Sequence, residues 1–138
     1  MARQKYLLDT NVCVFLLRNK YNVAQHIEGV GLENCAISEI TVAELKFGNI
    51  LGKMKGGTKY RDQGLEKFIK AIEVIPIGTV LDKYAEEKAR LQLAGTPADE
   101  FDLLIGCTAV VNRMTMVTEN IKDFKNIGNI KIENWIER

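Results

Sequence analysis

The apolar residues of this 138-residue chain fall into short blocks, and the blocks alternate between two periodicities. Lys5–Leu8, Cys35–Ile37 and Met114–Val117 carry compact apolar runs without helical spacing, the pattern of strands buried on both faces. Between them lie segments with 3.6-residue periodicity. Leu65, Phe68, Ile69 and Ile72 recur at i, i+3, i+4 and i+7, which predicts a helix over Tyr60–Ile72. The same reasoning predicts helices over Thr10–Leu17, over Val23–Val30 with Gly29-x-Gly31 as its stop, and over Thr41–Leu51. A Gly/Lys-rich loop, Gly52 to Gly57, follows the last of these. A further helix spans Val80–Leu93, with Leu81, Tyr84 or Ala85, and Ala89 facing inward, and Gly95-Thr96-Pro97 breaks it. Asp102–Asn112 is apolar almost all round, which marks a helix buried in the middle of the domain. Val74–Ile77 reads as a short or edge strand because it tolerates Pro76, and Ile130–Ile132 reads as a last strand. No repeat, low-complexity tract or linker interrupts this order, so residues 1–138 form a single domain. Strands alternating with helices predict an α/β fold with a parallel sheet covered on both faces.

The punctuation of the strands carries the chemistry. Tyr6-Leu7-Leu8 runs into Asp9, and Ala36-Ile37 leads through Ser38 and Thr41 to Glu44. Asp102 stands before Leu103-Leu104-Ile105, and Met114–Val117 runs through Thr118 and Asn120 to Asp123. Sites in open parallel sheets are built beyond the strand carboxyl ends. Each acidic residue also has an ordinary role available. Asp9 can cap a helix, Thr41-x-x-Glu44 matches a capping box, Asp102 suits a helix start, Asp99 lies three residues after Thr96, and Asp123 suits a turn. Taken together they are harder to explain that way. Like charges in one pocket repel by about 1 kcal/mol per pair in water and several at an effective dielectric near 20. A divalent cation turns that cost into affinity, and Mg²⁺ favours a few carboxylates with water and phosphate oxygens. The pattern therefore points to Mg²⁺ or Mn²⁺ and to phosphate chemistry.

Composition narrows the alternatives. The single histidine, His26, reads as a helix-surface residue, so a histidine-rich zinc site is excluded and a Ser-His-Asp machine would have to use it. Cys13, Cys35 and Cys107 are odd in number and form no C-x-x-C, which reads as buried reduced thiols. No apolar stretch reaches the ~20 residues of a membrane span, and the amino terminus lacks a signal-peptide pattern, so a cytoplasmic location is expected. No nucleotide-binding glycine loop occurs. Net charge is only +1, but Lys46, Lys53, Lys55, Lys59, Arg61, Lys67 and Lys70 crowd one segment. They suit either a phosphate backbone or a solvated helix face, and Lys53, Lys55 and Lys59 are the candidates for backbone contact.

Four segments together resemble a known family. Leu7-Leu8-Asp9-Thr10-Asn11-Val12, Ser38 to Leu45, Phe101 to Gly106 and Val117 to Phe124 resemble, in order, the motifs of PIN-domain ribonucleases, and more narrowly of VapC-type toxins from VapBC toxin–antitoxin pairs. Ile130 to Trp135 resembles the carboxyl terminus of that group. The resemblance implies a PIN-like α/β/α sandwich with four or five short parallel strands. It further implies a Mg²⁺- or Mn²⁺-dependent endoribonuclease acting on structured RNA such as tRNA, a homodimer, and inhibition by a cognate VapB-like antitoxin. Asp9, Glu44 and Asp102 fall on the family's acidic, metal-binding positions. The family's fourth acidic position is Asn120 here, with Asp123 nearby to serve instead as a catalytic residue; Asp99, Thr118 and Asn120 are additional site candidates. Two other readings compete. A haloacid-dehalogenase-like phosphatase would use Asp9 as nucleophile, but its D-x-D is broken by Asp9-Thr10-Asn11. A PIN-like domain that binds RNA or a partner without cutting is disfavoured by the intact carboxylates.

Overall fold

Three strands, β1 (Tyr6–Leu8), β2 (Cys35–Ser38) and β4 (Thr115–Val117), form the middle of a sheet edged by β3 (Glu73–Ile75) and β5 (Ile132–Glu133). Their order is β3-β2-β1-β4-β5, and every pairing is parallel. The computed structural model describes residues 4–57 and 62–138. Pro76 directly follows β3, so it removes no ladder hydrogen bond, and β3 is an edge as expected.

Side-chain alternation along the strands creates two cores. Leu8, Cys35, Ile37 and Val117 point to one face, where they meet Val12, Val23, Leu45, Leu65, Phe68 and Trp135. Leu7, Ala36 and Met116 point to the other, against Val80, Leu91, Leu103, Ile105 and Phe124. Helices α1 (Thr10–Leu17), α2 (Val23–Val30), α3 (Glu39–Met54) and α4 (Asp62–Ala71) cover the first face. Helices α5 (Leu81–Leu93), α6 (Glu100–Val111) and the short α7 (Ile121–Phe124) cover the second. This is the expected α/β/α sandwich. Five consecutive residues of α6, Ile105 to Ala109, are buried, so it is the central helix its composition predicts. Among the described residues no helix is long and apolar enough to cross a membrane.

Several expectations need correction. Helix α3 begins at Glu39 and continues through Gly52 to Met54, so the first half of the expected glycine loop is helix. Its start is set by Ser38, whose hydroxyl accepts from the Ile40 amide at 3.0 Å, which displaces the Thr41 capping box. Helix α6 starts two residues early, because Asp99 caps it by accepting from the amides of Phe101 and Asp102. The start expected for α4 at Tyr60 lies outside the described residues. In α5 the inward stripe is Val80, Tyr84, Glu87 and Leu91, while Leu81, Ala85 and Ala89 face solvent. A charged residue occupies the inward stripe because Glu87 finds Arg90 at 2.6 Å, Lys83 at 3.6 Å and the Gly128 amide at 3.3 Å. Hydrophobic periodicity cannot anticipate a buried charge that is paired.

Candidate active site

Strand order changes direction between β1 and β4: the chain builds β2 and β3 on one side of β1 and then returns to pair β4 on the other. The crevice beyond the carboxyl ends at such a reversal is the usual place for a ligand. Asp9 follows β1 there, and Thr118 follows β4. The Asp9 carboxylate is 5% exposed and bonded at both oxygens. Oδ1 accepts from the Thr10 amide at 2.8 Å, which makes Asp9 the cap of α1, and Oδ2 accepts from the Thr118 hydroxyl at 2.7 Å. Cap and site are therefore the same residue. Burial raises the Asp9 pKa, the Thr118 and Thr10 bonds lower it, and the charges of Glu44 and Asp123 raise it further.

Glu44 sits in the second turn of α3, half-buried, facing α1. Its Oε1 accepts from the Thr10 hydroxyl at 2.6 Å, and that hydroxyl lies 3.2 Å from the Thr41 hydroxyl. Glu44 thus reaches across to the helix that Asp9 caps. Thr10 is the residue sequence reasoning overlooked. The signal was present as a hydroxyl directly after the acidic residue of β1, but its partner is 34 positions away.

Asp102, the third residue of α6, is half-buried. Burial first, then the charges of Asp9, Asp99, Asp123 and Glu44, push its carboxyl up to about 7. Asp99 and Asp123 are exposed and line one cleft with Asp102, Lys122 and Asn126. A second, more apolar groove runs from Thr10 and Glu44 past Phe47, Leu51 and Phe101. Asn120 contributes through its backbone, whose amide donates to the Thr118 hydroxyl oxygen at 3.0 Å. Thr118 is therefore both donor to Asp9 and anchor of the turn that follows β4.

The charges of Asp9, Glu44, Asp99 and Asp123 all act on Asp102, and those of Glu44 and Asp123 act on Asp9. Among the described residues no group of three or more His, Cys, Asp or Glu side chains is placed so that it could hold a metal ion. The donor chemistry still fits a hard cation. It is oxygen only, like-charged and partly open to water, which suits Mg²⁺ or Mn²⁺ and gives a soft metal no ligand. Lys53 in the last turn of α3 and Lys55 after it are exposed, and Lys59 lies outside the described residues.

Known proteins resemble this chain along nearly its whole length. The PIN domain family matches residues 6–130. Ribonuclease VapC2 of Rickettsia felis is 35% identical over 134 residues, covering 94% of this chain and 97% of the relative. The tRNA(fMet)-specific endonuclease VapC of Salmonella typhimurium is 32% identical over 133 residues, covering 95% of this chain and 98% of the relative. The crystal structure of VapBC2 from Rickettsia felis, bound to a DNA fragment from their promoter, superposes with a TM-score of 0.83 at 32% identity, over 96% of this chain and 99% of that one. Matched along nearly its whole length, and with its acidic residues gathered where the sheet order reverses, this chain belongs to the PIN-domain family and, within it, to the VapC ribonucleases.

Proposed function

We propose that the chain is a Mg²⁺- or Mn²⁺-dependent endoribonuclease that hydrolyses phosphodiester bonds of structured RNA such as tRNA, as the toxin of a toxin–antitoxin pair. The observation that carries this reading is the state of Asp102. It shares a cleft with Asp99, Asp123 and Lys122, and burial together with the charges of Asp9, Asp99, Asp123 and Glu44 raises its pKa to about 7. Asp9, Glu44 and Asp102 would hold the cation, with Asp123 assisting at the open side. When bound, the cation supplies charge neutralisation and a nucleophilic water at neutral pH. The protein supplies position. The Thr118 hydroxyl and the Thr10 amide set the plane of the Asp9 carboxylate, and the Thr10 hydroxyl sets Glu44 Oε1. Lys122 lines the same cleft and suits a phosphate oxygen of bound RNA. Lys53 and Lys55, with Lys59, would extend that contact along the backbone.

The apolar groove beside Glu44 suits a helix of a VapB-like antitoxin. Phe47 and Phe101, which line it, are 65% and 48% exposed. Exposed Leu81 and Leu93 on α5 support a homodimer, and three free, buried cysteines fit the reducing cytoplasm. The test is cleavage of tRNA with Mg²⁺ or Mn²⁺, with p-nitrophenyl phosphate as control substrate. We expect products ending in 5′-phosphate and 3′-hydroxyl, no cleavage in EDTA and no hydrolysis of the control. Cyclic 2′,3′-phosphate ends, or cleavage indifferent to EDTA, would refute the mechanism. Turnover of the control alone would favour a phosphatase.

A further inference from the structure

Arg138 reaches back to grip Glu119 with one edge of its guanidinium. Nε donates to Oε2 at 2.6 Å and Nη2 donates to Oε1 at 2.9 Å. The same group lies 5.0 Å from the centre of the Tyr21 ring, and its Nη1 donates to the Tyr21 hydroxyl at 3.3 Å. Tyr21 packs edge-on against Phe15 of α1, ring centres 4.8 Å apart. One side chain therefore braces the helix that Asp9 caps against the turn that follows β4.

Glu119 is the middle residue of that turn. On one side the Thr118 hydroxyl donates to Asp9 Oδ2, and on the other the Asn120 amide donates back to Thr118 Oγ1. Arg138 is exposed and Glu119 partly buried, 60% and 23% for the two side chains, so solvent screens the pair and it contributes little to global stability. What a bidentate guanidinium contact supplies is orientation, because both N–H bonds hold only when carboxylate and guanidinium share a plane. An ammonium group cannot reproduce that fork.

We propose that Arg138 is a positioning residue for Asp9: by gripping Glu119 it fixes the Thr118–Asn120 turn, and with it the hydroxyl that orients the Asp9 carboxylate. The kinetic part of the argument rests on the nuclease reading above; the structural part does not.

The test compares the full-length wild type with Arg138→Ala, Arg138→Lys, Glu119→Ala and the Arg138→Ala/Glu119→Ala double variant. In each, kcat and KM for RNA cleavage, hydrogen exchange of the Asn120 amide, and the melting temperature are measured. Arg138→Ala should lower kcat about tenfold with KM little changed, since small displacements of a reacting group are costly. Its Asn120 amide should exchange about tenfold faster as the turn opens locally. The melting temperature should stay within about 2 °C, as expected for a solvent-screened pair. Arg138→Lys should resemble Arg138→Ala, and the double variant should be no worse than either single one. Wild-type kcat in Arg138→Ala, unchanged Asn120 exchange, or multiplicative losses in the double variant would each overturn the proposal. If the wild type cuts no RNA, the nuclease reading fails instead, and Asn120 exchange alone then decides whether Arg138 holds the turn.

Discussion

Replacing Asp102 with asparagine separates what its carboxyl does for catalysis from what it costs the fold. Burial and four neighbouring carboxylates lift its pKa from 3.8 to about 7. At about 1.4 kcal/mol per unit, that shift sets a ceiling of roughly 4 kcal/mol against the ionised form. Asp102 is only half-buried, and screening by solvent reduces the figure to about 1–2 kcal/mol. Opposing this, an acidic residue in the first turn of α6 gains about 0.3–1 kcal/mol from the helix dipole, which Asn forfeits. The net gain from Asp102→Asn is about 1 kcal/mol, or a melting temperature higher by about 3–5 °C at pH 8 in EDTA. The pH dependence has a definite sign. Between about pH 4 and 7 the folded carboxyl keeps its proton while the unfolded one has lost it, so wild-type stability falls as pH rises through that window and levels off above it. The advantage of the variant should therefore be smaller at pH 5 than at pH 8. Saturating Mg²⁺ should stabilise the wild type by about 2.7 kcal/mol at a hundredfold excess over Kd, and the variant much less. Cleavage should be lost in the variant. A lower melting temperature for Asp102→Asn at pH 8, together with no stabilisation of the wild type by Mg²⁺, would refute the reasoning and leave Asp102 a helix-start residue.

Two further outcomes follow from hydrogen bonds across the fold. Thr10→Val removes the hydroxyl that holds Glu44 Oε1 and should lower the single-turnover rate about tenfold or more, whereas Thr10→Ser should restore it. Glu87→Gln should cost about 1.5–3 kcal/mol at pH 7 by urea denaturation, because the buried carboxylate is held by Arg90, Lys83 and the Gly128 amide. The pairing depresses the folded pKa of Glu87 below 4.5, so its contribution is present above 4.5 and lost as pH falls through the folded value. The stability difference between the two proteins should shrink as pH falls through that value.

What the sequence by itself determined was local. The bounds of α1 and α2 are those its pattern predicts, and β1, β2 and β4 lie on its apolar runs, because periodicity and flanking turn residues act within a few positions. The inward face of α4 is also the expected one, with Leu65, Phe68 and Ile72 all buried. The acidic residues at the strand ends were legible for the same reason. Their roles were not. Nothing local distinguishes Glu44 in a capping box from Glu44 bonded to Thr10; only the packing of α3 on α1 decides it, once Ser38 takes the cap. Asp9 and Thr118 are 109 positions apart and meet because β4 pairs directly with β1. The inward turn of Glu87 and the grip of Arg138 on Glu119 likewise depend on partners from other elements. Strand order and helix packing are choices of the whole chain, made by burying two apolar faces at once, and they alone bring such distant polar groups within hydrogen-bonding reach.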